Sequence, residues 1–264
     1  MKKKKYRFFH TFVIPTAEKS PYLDRCIKSL INQKIKSNIL ITTSKPFKEI
    51  YKLKKKYNLK IKIYKKHKNI ANDWNRAIRS TESKYVTLAH QDDEYDKNYL
   101  YEIKKILKNT KIKPSIIFTD YFEIKKNKKQ ISLKIIIKKI ILSLFYLGRC
   151  SLDNYYYKKK MVSFGSPIAC PSVTYNKDYG IKFNEKFWIN IDWSLWLKLA
   201  EEKGSFLYIK KKLLFHRIHK KSETSKSFKD GKRSKEDLIL FKKLWPKPIA
   251  LFLSKIYKIG YRSI

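Results

Sequence analysis

The segment 85–95, YVTLAHQDDEY, combines a short β-prone run with a histidine and three consecutive acidic residues. Strands bury apolar faces, whereas carboxylates resist burial unless they hold a cation or a charged partner. A strand that ends in Asp92 and Asp93, with His90 just before them, delivers two hard oxygen ligands to the rim of a sheet, where open α/β folds bind their ligands. Such oxygens suit Mg²⁺ or Mn²⁺ carrying a phosphate. A solvated acidic loop without a ligand is the alternative that this segment alone leaves open.

A second candidate site lies in the segment 187–202, FWINIDWSLWLKLAEE, where Asp192 precedes an amphipathic helix. An Asp at this place is a favourable helix N-cap, which is one interpretation. The other is a general base in a sugar-binding cleft, because a carboxylate can accept a hydroxyl proton and indole rings stack on sugars. The tryptophans that could do so are Trp188, Trp193 and Trp196.

A third cluster of polar residues lies in the segment 213–224, LLFHRIHKKSET. His216, Arg217 and His219 fall within four residues and are followed by Lys and Ser, a set suited to binding a diphosphate. Strand alternation predicts His216 on one face and Arg217 with His219 on the other. A basic junction between a strand and a loop is the alternative.

Strands and helices alternate along the first part of the chain. Apolar runs predict strands, and apolar positions at helical spacing predict helices. The first helix is expected to begin with Ser20 as N-cap and Pro21 in its first turn, and to bury Cys26. Short loops between alternating elements are typical of βαβ units and a parallel sheet. The expected strands are 8–14, 38–43, 59–64, 85–89 and 115–119, and further helices are expected at 47–57, 72–79 and 99–107.

The composition is strongly basic but does not favour a nucleic-acid-binding protein. Of 264 residues, 63 are Lys or Arg and 22 are Asp or Glu, giving a net charge of +41. Only eight of the basic residues are Arg, the residue that nucleic-acid contacts favour, and the lysines are dispersed along the chain. We expect no specific nucleic-acid partner, although the charge favours anionic membrane surfaces.

Two basic, apolar segments raise the question of membrane contact. Residues 132–147 and 246–264 are too short or too charged to span a bilayer, which takes about 20 apolar residues. Each is either a buried helix with solvated lysines or a helix lying on a membrane surface. Between them, residues Lys220 to Lys235 are rich in Ser and Lys and are expected to form a mobile loop. The three cysteines show no CxxC spacing, which favours a reduced cytosolic protein without a zinc site.

Together the three segments resemble a family 2 glycosyltransferase of the GT-A fold, the group that builds bacterial surface polysaccharides. The resemblance covers roughly residues 8–225 and includes FVIPTAEKSPYLDRCIKSLINQ, KNIANDWNRAIRSTESKYVTLAHQDDEY and INIDWSLWLKLAEEKGSFLYIKKKLLFHRIHKKSET in the family's order. It implies an α/β fold with a Rossmann-like, mostly parallel sheet flanked by helices. The transferase domain would span residues 1–225, and a basic loop with an amphipathic helical C-terminal tail would span 226–264.

The resemblance also implies roles for the residues of the three segments. Asp92 matches the last Asp of an Asp-x-Asp motif and should ligate Mg²⁺ or Mn²⁺ that bridges the donor diphosphate. His90 takes the place of the first Asp of that motif, which is a departure, and Asp93 matches a second Asp that commonly follows. Asp192 matches the base that deprotonates the acceptor hydroxyl.

Further donor contacts are implied around these residues. His219 is expected at the metal and Arg217 near the diphosphate, while Pro15 and Thr16 should line the nucleotide pocket. The family's usual Asp-containing turn is replaced by Thr42-Thr43-Ser44, which leaves the nucleobase open. We expect Ser44, and Asn75 of the sugar-nucleotide helix, to contact the donor. Residues 165–176, GSPIACPSVTYN, form either an acceptor-facing wall or a core strand.

The function implied is transfer of a sugar from a nucleotide-sugar donor to a lipid-linked or polysaccharide acceptor in cell-surface glycan synthesis, such as lipopolysaccharide or capsule. One base without a second carboxylate nucleophile predicts inversion at the anomeric carbon. The enzyme is expected in the cytoplasm, peripheral on the inner face of the cell membrane. The alternatives are a basic nucleic-acid-binding protein and a transferase fold that binds without catalysing, because of His90 and the missing nucleobase Asp.

Overall fold

The computed structural model describes residues 5–219 and 231–262. Strands and helices alternate through the first half of the chain, as the sequence predicts. The strands are β1 (Phe8–Thr16), β2 (Asn38–Thr43), β3 (Lys60–Ile63), β4 (Ser83–Leu88), β5 (Glu94–Tyr95), β6 (Pro114–Lys125), β7 (Lys128–Gln130), β8 (Ser151–Leu152), β9 (Val173–Asn176) and β10 (Ser205–Arg217). The helices are α1 (Leu23–Ile31), α2 (Lys48–Tyr57), α3 (Ile70–Arg79), α4 (Tyr99–Lys108), α5 (Leu133–Tyr146), α6 (Tyr155–Ser163), α7 (Ile191–Glu201), α8 (Lys232–Leu244) and α9 (Lys247–Arg262).

In the described part of the chain the strands form one sheet in the order β3-β2-β1-β4-β9-β6-β10-β5, with β7 on β6 and β8 on β10. Strands β1 to β4 run parallel because crossover helices connect them. The long pair β6 and β10 is also parallel, while β9 runs antiparallel between β4 and β6. The predicted α/β fold, with helices flanking a central sheet of mostly parallel strands, is confirmed.

Several element boundaries differ from the sequence prediction, among them the start of α1 and the end of β6. Helix α1 begins at Leu23, so the predicted N-cap at Ser20 is wrong. The Ser20 hydroxyl instead accepts a hydrogen bond from the Tyr22 N–H at 3.2 Å, which makes a separate turn before the helix. Strand β6 continues past the apolar run to Lys125. It does so because pairing with β10 continues through the polar positions Asp120 and Glu123.

The two faces of the sheet carry separate apolar clusters, one beneath α1, α2 and α4 and the other beneath α3 and α5 to α9. Trp193 and Trp196 are fully buried in the second cluster because they lie one turn apart on the core face of α7. The Trp193 indole N–H donates to the Val162 carbonyl at 2.8 Å. The expectation that these two rings stack on a sugar is therefore wrong, whereas Trp188 is 55% exposed.

The two basic, apolar segments both form helices, α5 and α9. Ala250 of α9, with Leu240 and Phe241 of α8, belongs to the second apolar cluster, so α8 and α9 pack on the same core as α7. The division of the chain at residue 225 stays a prediction. Residues 220–230 of the predicted mobile loop lie outside the described residues, and α8 begins at Lys232. No helix among the described residues has the length and apolar character needed to cross a bilayer.

Candidate active site

The acidic segment forms a tight turn at the carboxyl end of β4, an interior strand of the sheet. The Ala89 N–H donates to the Val13 carbonyl at 2.9 Å, which extends the pairing of β4 with β1 by one residue. The Asp93 N–H then donates to the His90 carbonyl at 3.2 Å and closes the turn. The polar side chains therefore emerge where open α/β sheets bind their ligands, as the sequence predicts.

Asp93 fixes this turn to the end of β10. Its side chain is fully buried, and Oδ1 accepts hydrogen bonds from the Arg217 backbone N–H at 2.8 Å and from His216 Nδ1 at 3.0 Å. Burial alone would lower the pKa of His216, but the charge and hydrogen bonding of Asp93 outweigh it and raise that pKa. The predicted donor contact of Asp93 stays a prediction, and the structure places its carboxylate between the two segments.

Arg217 binds the same turn through its guanidinium group. Its Nε donates to the Asp92 carbonyl at 3.2 Å, and a terminal nitrogen pairs with the Glu94 carboxylate. The guanidinium carbon lies 4.4 Å from the ring centroid of Tyr22, a cation–π contact, and the residue is only 3% exposed. Arg217 thus lies beside the acidic turn with its donors engaged in positioning it, and its contact with a diphosphate stays a prediction.

His219 reaches Asp92 directly. Its Nε2 lies 2.8 Å from Oδ2 of Asp92, so the two residues expected at a metal are neighbours. Burial opposes ionisation of Asp92, but the hydrogen bond from His219 and the surrounding imidazoles prevail and lower its pKa. His216 and His219 both contact the acidic turn, contrary to the prediction of opposite faces, because β10 ends at Arg217 and strand alternation ends with it.

His90 completes a group that could hold a metal ion. Its potential ligand atom lies within 4.8 Å of those of Asp92 and Asp93. Its ring packs on Trp74 with 5.1 Å between the centroids. Its Nε2 is buried without a hydrogen-bond partner in the described part of the chain, which is costly unless a ligand binds there. The other ring nitrogen, Nδ1, lies 4.0 Å from Oδ2 of Asp93, and an imidazole nitrogen beside carboxylate oxygens fits a divalent cation.

Asp192 lies in the first turn of α7, half-buried and close to this group. Asn190 occupies the N-cap position, so the interpretation of Asp192 as an N-cap is wrong. Its Oδ1 accepts a hydrogen bond from the Trp193 N–H at 2.7 Å. Burial raises the pKa of the Asp192 carboxyl group, and the charge of His90 partly offsets this effect. A carboxylate with a raised pKa is a better proton acceptor than an ordinary Asp.

Glu236 of α8 positions the segment that leads into α7, and sequence reasoning missed it. Its carboxylate accepts hydrogen bonds from the N–H groups of Trp188 at 2.7 Å, Ile189 at 3.0 Å and Asn190 at 2.8 Å. The next residue, Asp237, accepts from the Asn190 side-chain amide at 2.7 Å. No local sequence pattern signals this contact, because its two halves are more than 40 residues apart.

A small hollow lies at the carboxyl ends of β1 and β2, in the region where a nucleotide pocket is expected. Pro15 pairs with Thr42 in the sheet, and the Thr16 hydroxyl donates to Gln91, beside Asp92. Ser44 donates to a carboxylate oxygen of Asp73 at 2.9 Å. The hollow is lined by Thr16, Thr42, Thr43, Ser44, Tyr64 and Asp73.

The turn 42–44 has no carboxylate of its own, but Asp73 on α3 places one beside it. Its Oδ2 contacts His67 Nδ1 at 2.7 Å, while Oδ1 is buried and accepts no hydrogen bond from the described residues. The predicted donor residue Asn75, half a turn further on, instead points away from the hollow. Its amide exchanges two hydrogen bonds with the backbone of Phe183, at 2.7 and 3.0 Å. Its contact with a donor stays a prediction.

The comparisons with known proteins agree with this geometry. Residues 11–174 match the sequence profile of glycosyl transferase family 2. A search of curated proteins found no significant match. The S. aureus TarS fragment 1–349 superposes with a TM-score of 0.64 at 11% identity, covering 94% of this chain and 69% of that one. Its complex with UDP-GlcNAc superposes with a TM-score of 0.62 at 12% identity, covering 94% and 70%.

The complex of the same TarS fragment with UDP superposes with a TM-score of 0.61 at 14% identity, covering 88% of this chain and 64% of that one. At such identities the likeness shows a shared fold, the GT-A fold. The family profile carries the classification, because it matches more than half of the chain and includes the acidic turn. The protein therefore belongs to glycosyl transferase family 2.

Proposed function

We propose that the protein is an inverting, metal-dependent glycosyltransferase that moves a sugar from a nucleotide-sugar donor to a glycan or lipid-linked acceptor. The observation that carries this proposal is the position of Asp192. Burial lowers the pKa of His90, and the charge of this half-buried carboxylate is among those that oppose the shift, which supports its position near the acidic turn. A base and a metal-binding group thus share one cleft, next to the nucleotide hollow.

A uridine diphosphate sugar is the donor that the hollow favours. Oδ1 of Asp73 lies 4.0 Å from a guanidinium nitrogen of Arg76 but accepts no hydrogen bond from the described residues. It can therefore accept a hydrogen bond from a nucleobase N–H, and uracil presents such a donor. The superposed TarS fragment has been solved with UDP and with UDP-GlcNAc, which supports the same class of donor. Asp73 would then replace the nucleobase carboxylate that the family usually places after the second strand.

The acidic turn and His219 would hold the metal. Asp92 and His219 are the expected ligands, and a ring nitrogen of His90 offers a third. When bound, the metal neutralises charge that develops on the leaving diphosphate. Arg217 and Asp93 keep the turn in place around it, because both are buried and hydrogen-bonded to its backbone or its neighbours.

Asp192 would activate the acceptor. Its Oδ1 is held by the Trp193 N–H, which orients the carboxylate and leaves Oδ2 to accept the hydroxyl proton as the acceptor oxygen attacks the anomeric carbon. Because a single base acts and no carboxylate nucleophile intervenes, the displacement occurs in one step and inverts the configuration. The buried rings of α7 keep its first turn rigid in this position.

An exposed apolar face of α5 and the positive net charge support action at the inner face of a bacterial cell membrane. The acceptor would then belong to lipopolysaccharide, capsule or related synthesis. Helix α5 buries one side in the core and exposes a continuous apolar stripe on the other. Apolar residues on a soluble helix rarely cover its outer face, so this stripe favours an interfacial position. The net charge of +41 favours an anionic leaflet. The stripe consists of Leu133, Ile136, Ile137, Ile140, Leu144 and Leu147.

Donor hydrolysis in the absence of acceptor tests the proposal. Purified protein is incubated with sugar derivatives of UDP, GDP and dTDP and with Mn²⁺ or Mg²⁺, and nucleotide release is measured. We expect metal-dependent release of UDP that Asp92→Ala abolishes. Glu82→Ala removes an exposed carboxylate in an exposed ion pair with Arg7 and serves as the matched control.

Release by Asp92→Ala at the rate of the control would contradict the metal site. Absence of both binding and hydrolysis for every donor would contradict the transferase and favour a non-catalytic fold. Binding of a UDP-sugar without release leads to the acceptor assay, in which transfer to isolated membrane glycans is measured. Failure there as well would overturn the proposed catalysis.

A further inference from the structure

The imidazole of His90 is held by packing instead of by hydrogen bonds. Its Nδ1 lies 4.0 Å from Oδ2 of Asp93, beyond hydrogen-bond length, and its Nε2 is buried without a hydrogen-bond partner in the described part of the chain. His216 and His219 differ, because each lies at hydrogen-bond distance from an Asp of the acidic turn, 3.0 and 2.8 Å away. The ring of His90 instead contacts the indole of Trp74, with 5.1 Å between the centroids and 33° between the planes.

The indole of Trp74 is itself braced. It packs against the second apolar cluster and meets the ring of Phe183 edge-on, with 5.1 Å between the centroids and 69° between the planes. Phe183 is fully buried, and its backbone exchanges two hydrogen bonds with the side-chain amide of Asn75, at 2.7 and 3.0 Å. Phe183 therefore cannot move away from the indole without breaking these bonds, and the indole is confined between Phe183 and His90.

The geometry of α3 connects this packing with the nucleotide hollow. Successive residues of an α-helix point about 100° apart, so Asp73, Trp74 and Asn75 meet different neighbours. Asp73 lines the hollow, Trp74 packs on His90, and Asn75 fixes Phe183. One rigid helix thus sets the position of the imidazole relative to the region where the nucleoside of the donor is expected.

A histidine that binds a metal needs a partner that orients its ring. Such histidines usually donate their other ring N–H to a carboxylate or a carbonyl group, and loss of this partner typically weakens metal binding by about 10- to 100-fold. Among the described residues, His90 has no such partner for its Nε2. A ring that packing already fixes loses less conformational entropy when it binds an ion, so the indole can take the place of the missing hydrogen bond.

We propose that Trp74 is a positioning residue that holds the imidazole of His90 in place as a metal ligand. The inference rests on the metal site of the proposed function and adds to it a residue outside the acidic turn and β10. Trp74 acts through His90 and touches neither the ion nor the substrate. Its removal should therefore weaken metal binding only while His90 is present.

A double-mutant cycle on the affinity for Mn²⁺ tests this role. Binding of Mn²⁺ alone to the purified protein is measured by the loss of the electron paramagnetic resonance signal of the free ion. We expect Trp74→Leu to weaken binding about tenfold, and Trp74→Phe, which keeps an aromatic ring against His90, to weaken it less. In the His90→Ala background, Trp74→Leu should change the affinity by less than about twofold.

Trp245→Leu is the matched control for the loss of an indole. Trp245 is also half-buried and packs on an aromatic ring, that of Phe164, with 5.3 Å between the centroids. The control should leave the affinity for Mn²⁺ unchanged in both backgrounds. An equal loss of affinity from Trp74→Leu in both backgrounds would show a general disturbance of the fold and overturn the positioning role, as would wild-type affinity in Trp74→Leu.

A measurement on the wild-type protein keeps the proposal testable if Trp74→Leu does not fold. Mn²⁺ is paramagnetic and broadens the resonances of nearby protons. Of the five indole N–H resonances, the one that is missing from the spectrum of Trp74→Phe should broaden first at substoichiometric Mn²⁺. Earlier broadening of another indole, or equal broadening of all five, would overturn the contact between Trp74 and a metal ligand.

Donor hydrolysis distinguishes failure of this inference from failure of the proposed function. A protein that binds Mn²⁺ and hydrolyses a UDP-sugar, but shows no coupling between Trp74 and His90, would contradict the positioning role alone. Coupling in a protein that hydrolyses no donor would retain the positioning role and contradict the transferase. Absence of Mn²⁺ binding to the wild-type protein would contradict both the metal site and the role of Trp74.

Discussion

If Asp192 is the base, as we propose, its burial promotes catalysis at the expense of stability. Burial raises the pKa of its carboxyl group, so the folded protein binds this proton more tightly than the unfolded chain does. The contribution of Asp192 to stability is therefore greatest at low pH and declines as pH rises from the ordinary Asp pKa through the raised value. Such a cost is typical of groups that act on substrate.

Asp192→Asn should separate the effect of this carboxylate on the rate of transfer from its effect on stability. We expect transfer to fall about 100-fold or more, because a general base typically contributes that much. The Asn side chain can still accept from the Trp193 N–H and carries no buried charge, so the melting temperature at neutral pH should equal or exceed that of the wild type. Glu201→Gln, at the exposed end of the same helix, is the control. Near-normal transfer by a folded Asp192→Asn protein would disprove the role of base.

The same pKa shift predicts the pH dependence of transfer. Because the base must be ionised, the rate should rise with pH along a limb whose midpoint lies above about 3.9, the ordinary pKa of Asp. Rates measured at saturating donor and metal, over a range in which the fold is intact by circular dichroism, give this midpoint. A midpoint at or below the ordinary pKa of Asp would show that the buried carboxyl group does not control the rate.

Asp73 allows a test of nucleobase recognition at a single residue. Asp73→Asn removes a charged acceptor from the hollow, and loss of a charge-assisted hydrogen bond of about 1.5–3 kcal/mol should weaken UDP binding tenfold or more. Calorimetric titration with UDP and CDP measures the affinity and the preference for uracil. Asp24→Asn, on the surface of α1 beside Lys28, is the matched control. Unchanged UDP affinity in Asp73→Asn would exclude this carboxylate from the nucleobase site.

At the scale of elements, Glu236 of α8 fixes the segment before α7, the helix that carries the proposed base. Glu236→Ala would leave three N–H groups before α7 without their acceptor. Each buried group left unsatisfied costs about 1–3 kcal/mol, so we expect a lower free energy of unfolding and slower transfer. Urea denaturation and transfer assays measure both quantities. Lys235→Ala replaces an exposed neighbour on α8 and should change neither the free energy of unfolding nor the rate of transfer. A Glu236→Ala protein as stable as that control would contradict the role of Glu236 in holding the segment before α7.

At the scale of the whole molecule, charge and the apolar stripe of α5 should act together on membranes. We expect the protein to sediment with vesicles rich in anionic lipid and less with neutral ones, since lysines near such a surface contribute about 1 kcal/mol each. Ile140→Glu, in the stripe, should reduce binding several-fold at moderate salt. Ile112→Glu alters an exposed isoleucine in the loop before β6 and is the matched control. Equal effects of the two substitutions would remove α5 from the membrane contact.

Ionic strength distinguishes the transferase from a nucleic-acid-binding protein. Donor binding relies on the short-range contacts of Asp73 and the acidic turn, so the affinity for a UDP-sugar should change little with salt. Nonspecific binding to nucleic acid must instead fall steeply, because counterion release drives it. Fluorescence titrations over a range of salt concentrations compare the two. A steep salt dependence for the sugar nucleotide would argue that general charge alone attracts it.

The sequence by itself determined the alternation of strands and helices, the acidic turn and the order of the motifs. These are local properties, because side-chain periodicity and strand ends are encoded within a few residues. Asp92 and His219, 127 residues apart, were predicted to meet only through resemblance to a family, and the structure places them 2.8 Å apart.

Only the tertiary structure decided which polar groups share an environment. Asp73 contacts Ser44 of the turn 42–44 because α3 packs beside the end of β2, and Glu236 supports the segment before α7 because α8 folds back onto it. Burial of Trp193 depends likewise on how α7 meets the sheet. Such contacts join distant segments, and their free energy comes from packing and desolvation that no local pattern encodes.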